Sequence, residues 1–248
     1  WSSDVCSSDL YFNINNGEKM GNSQNSEKLV ELAPKDYKLS YSDFIGIGNN
    51  GNLWVEDCDV EELVKEYGSP LLIISESQFR QSFRQFKKAF TDNYNGEVEI
   101  LYANKSNNSL ALRHIMNQEG GGGDCFGVNE MYISLLAGTN PKMLVLNGSN
   151  KQDEELEMAI TNGLCIKIDY MDELTRISDI STKLNKSVEI GIRLALDLES
   201  LADKTGVFMH GPGTLKEQSD STKWGMTKEQ TVEIVKSAQQ IENIHLKE

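Results

Sequence analysis

Residues 98–107 read VEILYANKSN, a short apolar run that passes directly into four polar residues, one of them a lysine. The run predicts a buried strand over Val98–Ala103, because strands covered on both faces of a parallel sheet are almost continuously apolar. Further apolar runs predict four more strands: Gly123–Phe126, Met143–Leu146, Cys165–Asp169 and Val188–Leu194. These strands start about 20–25 residues apart, the spacing of a repeated strand–helix unit.

Stretches with helical spacing of apolar residues separate the strands. They predict helices over approximately 108–118, 128–137, 152–161, 171–184 and 227–241. Strands alternating with helices indicate an α/β protein, either a (β/α)8 barrel or a doubly wound sheet, and the periodicity does not choose between them. Ile244–Glu248 resembles the start of another strand, so a five-strand array would end at an open edge. We therefore expect the chain to be the N-terminal portion of a longer protein.

The first ten residues, WSSDVCSSDL, fit a back-translation to a common short-read sequencing adapter. We treat residues 1–10 as an artefact and exclude them from the fold. Residues 11–51 form a polar leader with at most one short strand. Codons that fit Gly17–Lys19 give a ribosome-binding pattern just ahead of Met20, which we expect to be the natural start.

The next segments lead into the repeated region. Residues 52–60 predict a strand, and residues 61–248 predict the strand–helix repeat. Asp59 is expected to cap a helix that Gly68 ends. Two further elements are predicted, a strand over Leu71–Ser75 and an amphipathic helix over Ser77–Phe90.

The composition excludes several classes of protein. The 248 residues include 38 acidic and 24 basic side chains, a formal net charge of −14, which argues against a nucleic-acid-binding surface. No apolar run approaches the ~20 residues that span a bilayer, and no secretory signal is present, so a cytoplasmic protein is expected. The cysteines outside the adapter stretch are far apart and the three histidines are scattered, which predicts neither a disulfide framework nor a metal site.

Function is expected at the carboxyl ends of the predicted strands, where ligands bind in both candidate folds. Lys105 follows its strand directly, so its charged side chain has to leave the sheet at this end. A lysine that is desolvated there can act as an amine nucleophile toward carbonyl compounds. A solvated lysine in a loop is the simpler alternative.

Other charged residues and a glycine run occupy similar positions. Arg193, inside the apolar run VEIGIRLAL, needs an anionic or hydrogen-bonding partner if it is buried. Asp124 serves equally well as a site carboxylate or as an acceptor for backbone donors in a turn. Glu130 and Asp169 are weaker candidates, since acids at these positions are common surface features. Gly120–Gly123 follow a helix and lack the GK[ST] of a phosphate-binding loop, which predicts a helix end and a turn.

Six stretches, in order and with matching spacing, resemble elements of pyridoxal-phosphate-dependent amino-acid decarboxylases of the alanine-racemase fold (fold type III). They are LWVE with VEELVKEYGSPLLI from residue 53, YANKSN from 102, GGGGDCFGVNEMYISLLAG from 120, LVLNGSNKQDEELEMAI from 144, IDYMDELTRI from 168 with the Arg193 strand, and STKWGM from 221. The resemblance covers roughly residues 52–248. The fourth stretch is most similar to the form carried by diaminopimelate decarboxylases.

The resemblance implies a fold, a cofactor and roles for residues. The fold would be a (β/α)8 barrel with about five strands present, and the strand at 52–60 would belong to a C-terminal β-domain outside the sequence. The cofactor would be pyridoxal 5′-phosphate, held covalently by Lys105 and without a metal. Asp124 would lie near this lysine, Arg193 would face the phenolic oxygen of the cofactor, and Glu130 matches the next acidic position of the family. The candidates for the substrate side are Asn147 and Asn150.

The implied reaction is decarboxylation of meso-diaminopimelate to L-lysine and CO2 by a homodimer, and the chain as it stands is expected to be inactive alone. Departures at Asn104 and at Val128–Asn129, where the family usually has other residues, leave the substrate open. Alternatives are a related ornithine, arginine or carboxynorspermidine decarboxylase and a non-catalytic barrel that carries pyridoxal phosphate. A doubly wound nucleotide-binding module is the unrelated alternative, and it is disfavoured because no GxGxxG follows the first strand.

Overall fold

The computed structural model describes residues 44–195 and 225–247, and the chain divides into two compact units, residues 1–98 and 99–248. Each unit is described by itself. The predictions about the adapter stretch, the leader ahead of residue 44, the start at Met20 and the motif residues 221–224 lie outside the described residues. No helix in the described part of the chain is long and apolar enough to cross a membrane.

The first unit contains a small antiparallel sheet. Its strands β1 (Ile45–Ile47), β2 (Leu53–Val55) and β3 (Cys58–Asp59) pair in that order. Strand β1 lies within the segment predicted as a polar leader with one short strand. The single strand predicted over 52–60 is instead two short strands that are joined by a turn.

Two helices follow this sheet. Helix α1 (Val60–Tyr67) begins after Asp59, whose carboxylate accepts a hydrogen bond from the backbone of α1, and it ends at Gly68. Both of these boundaries are as predicted. Helix α2 (Glu76–Thr91) confirms the amphipathic helix expected in this region.

The strand predicted over residues 71–75 is absent from the described structure. These residues pair with neither described sheet, and Leu72 is 77% exposed, so the apolar run is not buried as a central parallel strand would be. The segment leads instead into α2. Ser75 caps this helix, because its hydroxyl accepts a hydrogen bond from the amide of Gln78 at 3.0 Å.

The second unit is built on six parallel strands, each of which neighbours the next strand in the chain. Its elements are β4 (Leu101–Ala103), α3 (Leu110–Gln118), β5 (Gly122–Cys125), α4 (Val128–Leu136), β6 (Leu144–Leu146), α5 (Asp153–Asn162), β7 (Cys165–Ile168), α6 (Met171–Leu184), β8 (Val188–Ile192), α7 (Lys228–Ala238) and β9 (Ile244–Leu246). A doubly wound sheet reverses its strand order at a switch point, whereas a barrel adds each strand beside the previous one. The observed order therefore favours the barrel.

All five predicted strands are present, and the further strand expected near Ile244 is β9. Two boundaries differ in a way that affects function. Strand β4 begins at Leu101, three residues later than predicted, and β8 ends at Ile192, so that Arg193 lies just outside the strand. Lys105 and Arg193 therefore lie on the segments that follow β4 and β8, whereas Asp124 lies within β5, near its carboxyl end.

The core of the second unit lies between the sheet and the apolar faces of its helices. Strand residues contribute side chains that are less than 1% exposed, and α5 and α6 cover them with residues spaced along one helix face. The central members are Leu144, Leu146, Leu156, Ile160, Ile166, Ile168, Ile177 and Ile190. This packing fixes the strand register and, with it, the positions of the loops.

We expect Leu146→Ala to lower the free energy of unfolding by roughly 2–5 kcal/mol, because truncation of a fully buried leucine leaves a cavity. Leu146 is 0% exposed in β6, whereas Leu136 is 58% exposed at the end of α4. The matched substitution Leu136→Ala should therefore cost less than about 0.5 kcal/mol. Denaturant unfolding of the purified chain measures both values, and equal losses would contradict the assigned core.

Candidate active site

The carboxyl ends of the strands and the segments that follow them carry the polar residues that the sequence pointed to. Because the strands are parallel, all of these segments leave the sheet at the same edge. The register aligns Ala103 of β4 with Asp124 of β5. The last residues of β7 and β8 are paired in the same way, so Asp169 and Arg193, which follow them, leave the sheet side by side.

Lys105 lies in a single 3-10 turn, Asn104–Ser106, directly after β4. Its Nζ is 4.8 Å from the centroid of the Phe126 ring, which follows β5, and this is a cation–π contact. The lysine side chain is exposed, so the described residues do not desolvate it. The structure therefore presents an accessible amine at this edge, in place of the buried one considered from the sequence.

A buried polar cluster holds this turn in place. Asn104 is 2% exposed, and its Nδ2 donates to Ser134 Oγ at 2.7 Å and to Cys125 Sγ at 3.3 Å. Arg113 of α3 reaches Asn104 Oδ1 at 3.4 Å and donates to two consecutive glycine carbonyls at 2.7 Å. Burial lowers the pKa of the Arg113 guanidinium and raises the pKa of the Cys125 thiol to about 11, which keeps that thiol neutral.

The glycine run makes room for this cluster. A side chain at Gly123 would come within 2.9 Å of Leu144 Cδ2 and 3.3 Å of Arg113 Nη1, and one at Gly122 would collide with a backbone carbonyl. Gly120, at φ 77°, lies in the turn after α3, as predicted. The predicted turn is wrong only for Gly122, which belongs to β5, and Gly123 lies in this strand as the strand prediction required.

The carboxyl group of Asp124 interacts with three of the other candidate residues. Its Oδ1 is buried and accepts no hydrogen bond from the residues that the structure describes. Burial raises the pKa of Asp124 above its ordinary value, while a hydrogen bond with Asn147 and the positive charges of Lys105 and Arg193 act in the opposite direction. Lys105, Asn147 and Arg193 are thus close enough to act on one carboxyl group.

Arg193 has the anionic partner that its position required. Its Nη1 lies 3.6 Å from Oδ1 of Asp169, a carboxylate that is 0% exposed. The same oxygen accepts a hydrogen bond from the amide of Gly225 at 2.9 Å. The interpretation of Asp169 as a surface feature is therefore wrong, because the residue is buried and orients the guanidinium.

The other two candidates differ in their surroundings. Glu130, in the first turn of α4, accepts a hydrogen bond from the amide of Phe126 at 2.9 Å, so it holds the loop whose ring contacts Lys105. Asn150 is exposed in a left-handed backbone conformation, with φ 55°. No described contact joins the Asn150 side chain to Asp124.

A buried ion pair that the sequence gave no reason to expect lies beside this site. Lys151 and Glu173 are each 2% exposed, with Nζ and Oε2 2.9 Å apart. Isolated charged residues in a polar stretch of sequence are typical of a solvated surface. The resemblance of the NGSNKQDEEL stretch to the decarboxylases was the only signal that could have drawn attention to Lys151.

Comparison with known proteins identifies the family of this chain. Residues 76–247, more than half of the chain, match the family described as pyridoxal-dependent decarboxylase, pyridoxal binding domain. The chain belongs to this family.

Curated decarboxylases are similar over the same part of the chain. Diaminopimelate decarboxylase of Archaeoglobus fulgidus is 37% identical over 151 residues, which are 61% of this chain and 35% of that protein. The enzyme of the same name from Methanothermobacter thermautotrophicus is 35% identical over 137 residues, 55% of this chain and 32% of that protein. The matched region thus spans about a third of the length of these relatives.

Solved decarboxylase structures share the fold. Diaminopimelate decarboxylase from M. jannaschii, in co-complex with L-lysine, gives a TM-score of 0.72 at 24% identity and covers 82% of this chain and 46% of that one. The Helicobacter pylori enzyme complexed with L-lysine gives 0.64 at 24% identity and covers 75% of this chain and 44% of that one. The predicted fold class, an incomplete (β/α)8 barrel, is confirmed, and so is the family resemblance.

The residues at the sheet edge fit the cofactor of this decarboxylase family. Pyridoxal phosphate carries an aldehyde, a phenolic oxygen and a phosphate group. The exposed amine of Lys105 suits the aldehyde, and the guanidinium of Arg193 suits an anionic oxygen. The buried Oδ1 of Asp124, which accepts no hydrogen bond from the described residues, can accept one from a group bound beside it.

Asp124→Asn should change how the stability of the chain depends on pH. Because burial raises the pKa of Asp124, protonation favours the folded state, and this contribution is lost as pH rises through the raised value. We therefore expect the wild type to lose stability relative to Asp124→Asn as the pH rises from the ordinary aspartate pKa, about 3.9, toward neutral pH. Denaturant unfolding across this interval measures the difference.

The matched control is Asp179→Asn, which changes an exposed aspartate on α6. Its stability curve should remain parallel to that of the wild type over the same interval. A parallel curve for Asp124→Asn as well would contradict the effect of burial on the Asp124 carboxyl.

Proposed function

We propose that the full-length protein decarboxylates meso-diaminopimelate to L-lysine and CO2 with pyridoxal phosphate. The observation that carries the proposal is the group formed by Lys105, Asp124 and Arg193 at one edge of a pyridoxal-binding domain. The substrate is supported by curated relatives named diaminopimelate decarboxylase at 37% and 35% identity.

We assign the covalent attachment of the cofactor to Lys105. When bound, pyridoxal phosphate supplies an aldehyde that bonds to amines and a ring that accepts the electrons left behind when CO2 departs. The Lys105 amine is exposed, its turn is fixed by the buried Asn104, and the Phe126 ring limits its motion. When it is not bonded to the cofactor, the Lys105 Nζ would be available to return a proton to the α-carbon of the substrate.

Arg193 is assigned to the phenolic oxygen of the cofactor. A guanidinium stays charged at every physiological pH, so it offers a permanent cation to an oxygen that carries negative charge. The buried Asp169 carboxylate holds this cation at the end of β8. A charged donor that is already oriented stabilises developing charge without reorganisation during the reaction.

The remaining candidates support these two residues. Asp124 is assigned to a hydrogen bond beside Lys105, which its buried Oδ1 can accept. Glu130 keeps the Phe126 loop in place through its contact with the backbone amide. Asn147 and Asn150 are assigned to the substrate side, and the Asn147 hydrogen bond with Asp124 supports the first of them.

The assembly and compartment are also proposed. We expect the full-length enzyme to be a homodimer, because the family that the chain resembles completes its active site with a second subunit. Sedimentation of the full-length protein tests this expectation. A cytoplasmic location is supported by Cys58, Cys125 and Cys165, which are all free thiols, as is common in a reducing compartment.

In the full-length protein, Lys105→Ala should abolish both the visible absorbance of bound cofactor and CO2 release from meso-diaminopimelate, since it removes the amine assigned to the attachment. Arg193→Ala should keep the absorbance and lower kcat by roughly 100- to 1000-fold, the usual loss for one charge-stabilising donor. Lys186→Ala, at an exposed lysine after α6, is the control and should retain both signals.

Retention of the cofactor absorbance in Lys105→Ala would contradict the assignment of the attachment site. Activity on ornithine or arginine without activity on meso-diaminopimelate would overturn the substrate alone and leave the roles of Lys105 and Arg193 in place.

A further inference from the structure

The buried pair Lys151–Glu173 has no part in the chemistry assigned to Lys105, Asp124 and Arg193. Lys151 Nζ lies 2.9 Å and 3.2 Å from the two carboxylate oxygens of Glu173 and donates to the carbonyl of Gly148 at 2.6 Å. Burial of two charges carries a desolvation cost that their attraction offsets only with good geometry and further hydrogen bonds.

One peptide group connects this pair to Arg193. The N–H of Asp169 donates to Glu173 Oε2 at 2.9 Å. The carbonyl of the same peptide group, on Ile168, accepts a hydrogen bond from the backbone N–H of Arg193 at 2.9 Å. Because a peptide group is planar, a rotation that breaks one of these hydrogen bonds also disturbs the other.

The orientation of the same peptide group also determines the position of the Asp169 side chain, which contacts the guanidinium. The Asp169 side chain branches from the Cα next to that N–H, and its Oδ1 lies 3.6 Å from Arg193 Nη1. Glu173 is therefore linked to Arg193 twice, through the peptide group between Ile168 and Asp169 and through the carboxylate of Asp169. Four charged residues follow one another in this chain of contacts, with the cations Lys151 and Arg193 at its ends and the carboxylates of Glu173 and Asp169 between them.

Lys151 also contacts the loop on the side of Lys105. Gly148, whose carbonyl accepts from the ammonium, has φ 96°, and a side chain there would come within 2.9 Å of the Phe126 ring. The same ring lies 4.8 Å from Lys105 Nζ. The ammonium of Lys151 is thus bonded to elements on both sides of the site.

We propose that Lys151 and Glu173 are positioning residues of the cofactor site. Glu173 fixes the position of the Arg193 guanidinium through Asp169, and Lys151 holds the Glu173 carboxylate in place. The proposal rests on the proposed function only where it gives Arg193 a cofactor oxygen to contact. The coupling between Glu173 and Arg193 is a property of the chain itself, so it can be measured without cofactor or substrate.

NMR of the 248-residue chain tests this coupling, and its outcome does not depend on whether the proposed reaction is correct. Lys151→Met/Glu173→Leu replaces both charges by apolar groups of similar volume, a change that buried ion pairs commonly tolerate. The Asp169 amide then loses its acceptor, and we expect its hydrogen exchange to accelerate roughly ten-fold or more. The Nε–Hε resonance of Arg193 should shift as its partner moves.

The chain offers a matched control pair. Lys183 Nζ lies 3.0 Å from Glu157 Oε1 and joins α6 to α5, but the two side chains are 72% and 42% exposed. Lys183→Met/Glu157→Leu should leave the Asp169 amide and the Arg193 resonance unchanged. Lys151→Met/Glu173→Gln keeps a carbonyl oxygen as an acceptor for the Asp169 amide but lacks the ammonium that holds this acceptor in place, so it should restore only part of the exchange protection at Asp169.

Wild-type exchange at Asp169 and a wild-type Arg193 resonance in folded Lys151→Met/Glu173→Leu would overturn the proposal. If that variant does not fold, Glu173→Asp tests the proposal instead. It keeps both charges, but its side chain is shorter by one methylene, so the carboxylate lies farther from the Asp169 amide. The Arg193 resonance must shift in Glu173→Asp, and an unshifted resonance there also overturns the proposal.

Discussion

Parallel pairing of neighbouring strands obliges every loop at their carboxyl ends to leave from one edge, and each residue assigned to the site depends on this constraint. The register of β4 and β5 places the turn of Lys105 beside Asp124. The register of β7 and β8 places Asp169 beside Arg193. Since a slip of one residue would turn these side chains to the opposite face, the buried strand residues that fix the register also fix the site.

Two buried polar networks convert this edge into a defined geometry. One ties Asn104, next to Lys105, to Arg113 of α3, and the other ties Glu173 to the peptide group beside Asp169. Each network places charged groups out of contact with water, which is tolerated only where hydrogen bonds satisfy them. Each also lies one residue or one contact away from a group that we assign to the cofactor. The hydrogen bonds of these two networks therefore both stabilise the fold and position the residues that we assign to the cofactor.

The sequence predicted the strands, Lys105 and Arg193 because these follow from local patterns, namely apolar runs and the charged residues at their ends. It failed for residues 71–75, since an apolar run does not say whether a pairing strand is present. It also failed for the burial of Asp169 and Lys151, because burial of a charge depends on a partner elsewhere in the chain. Glu173 is 22 positions from Lys151, and no local pattern connects the two. The exposure of Lys105 likewise depends on which groups the loops bring around it.

The central claim is that this chain attaches pyridoxal phosphate through Lys105. Its most direct test is borohydride reduction of the full-length protein loaded with pyridoxal phosphate, followed by peptide mapping with mass spectrometry. The account predicts a single phosphopyridoxyl group, on the peptide that contains Lys105. A label on another lysine of the sheet edge, such as Lys151 or Lys167, with Lys105 unmodified, would contradict it.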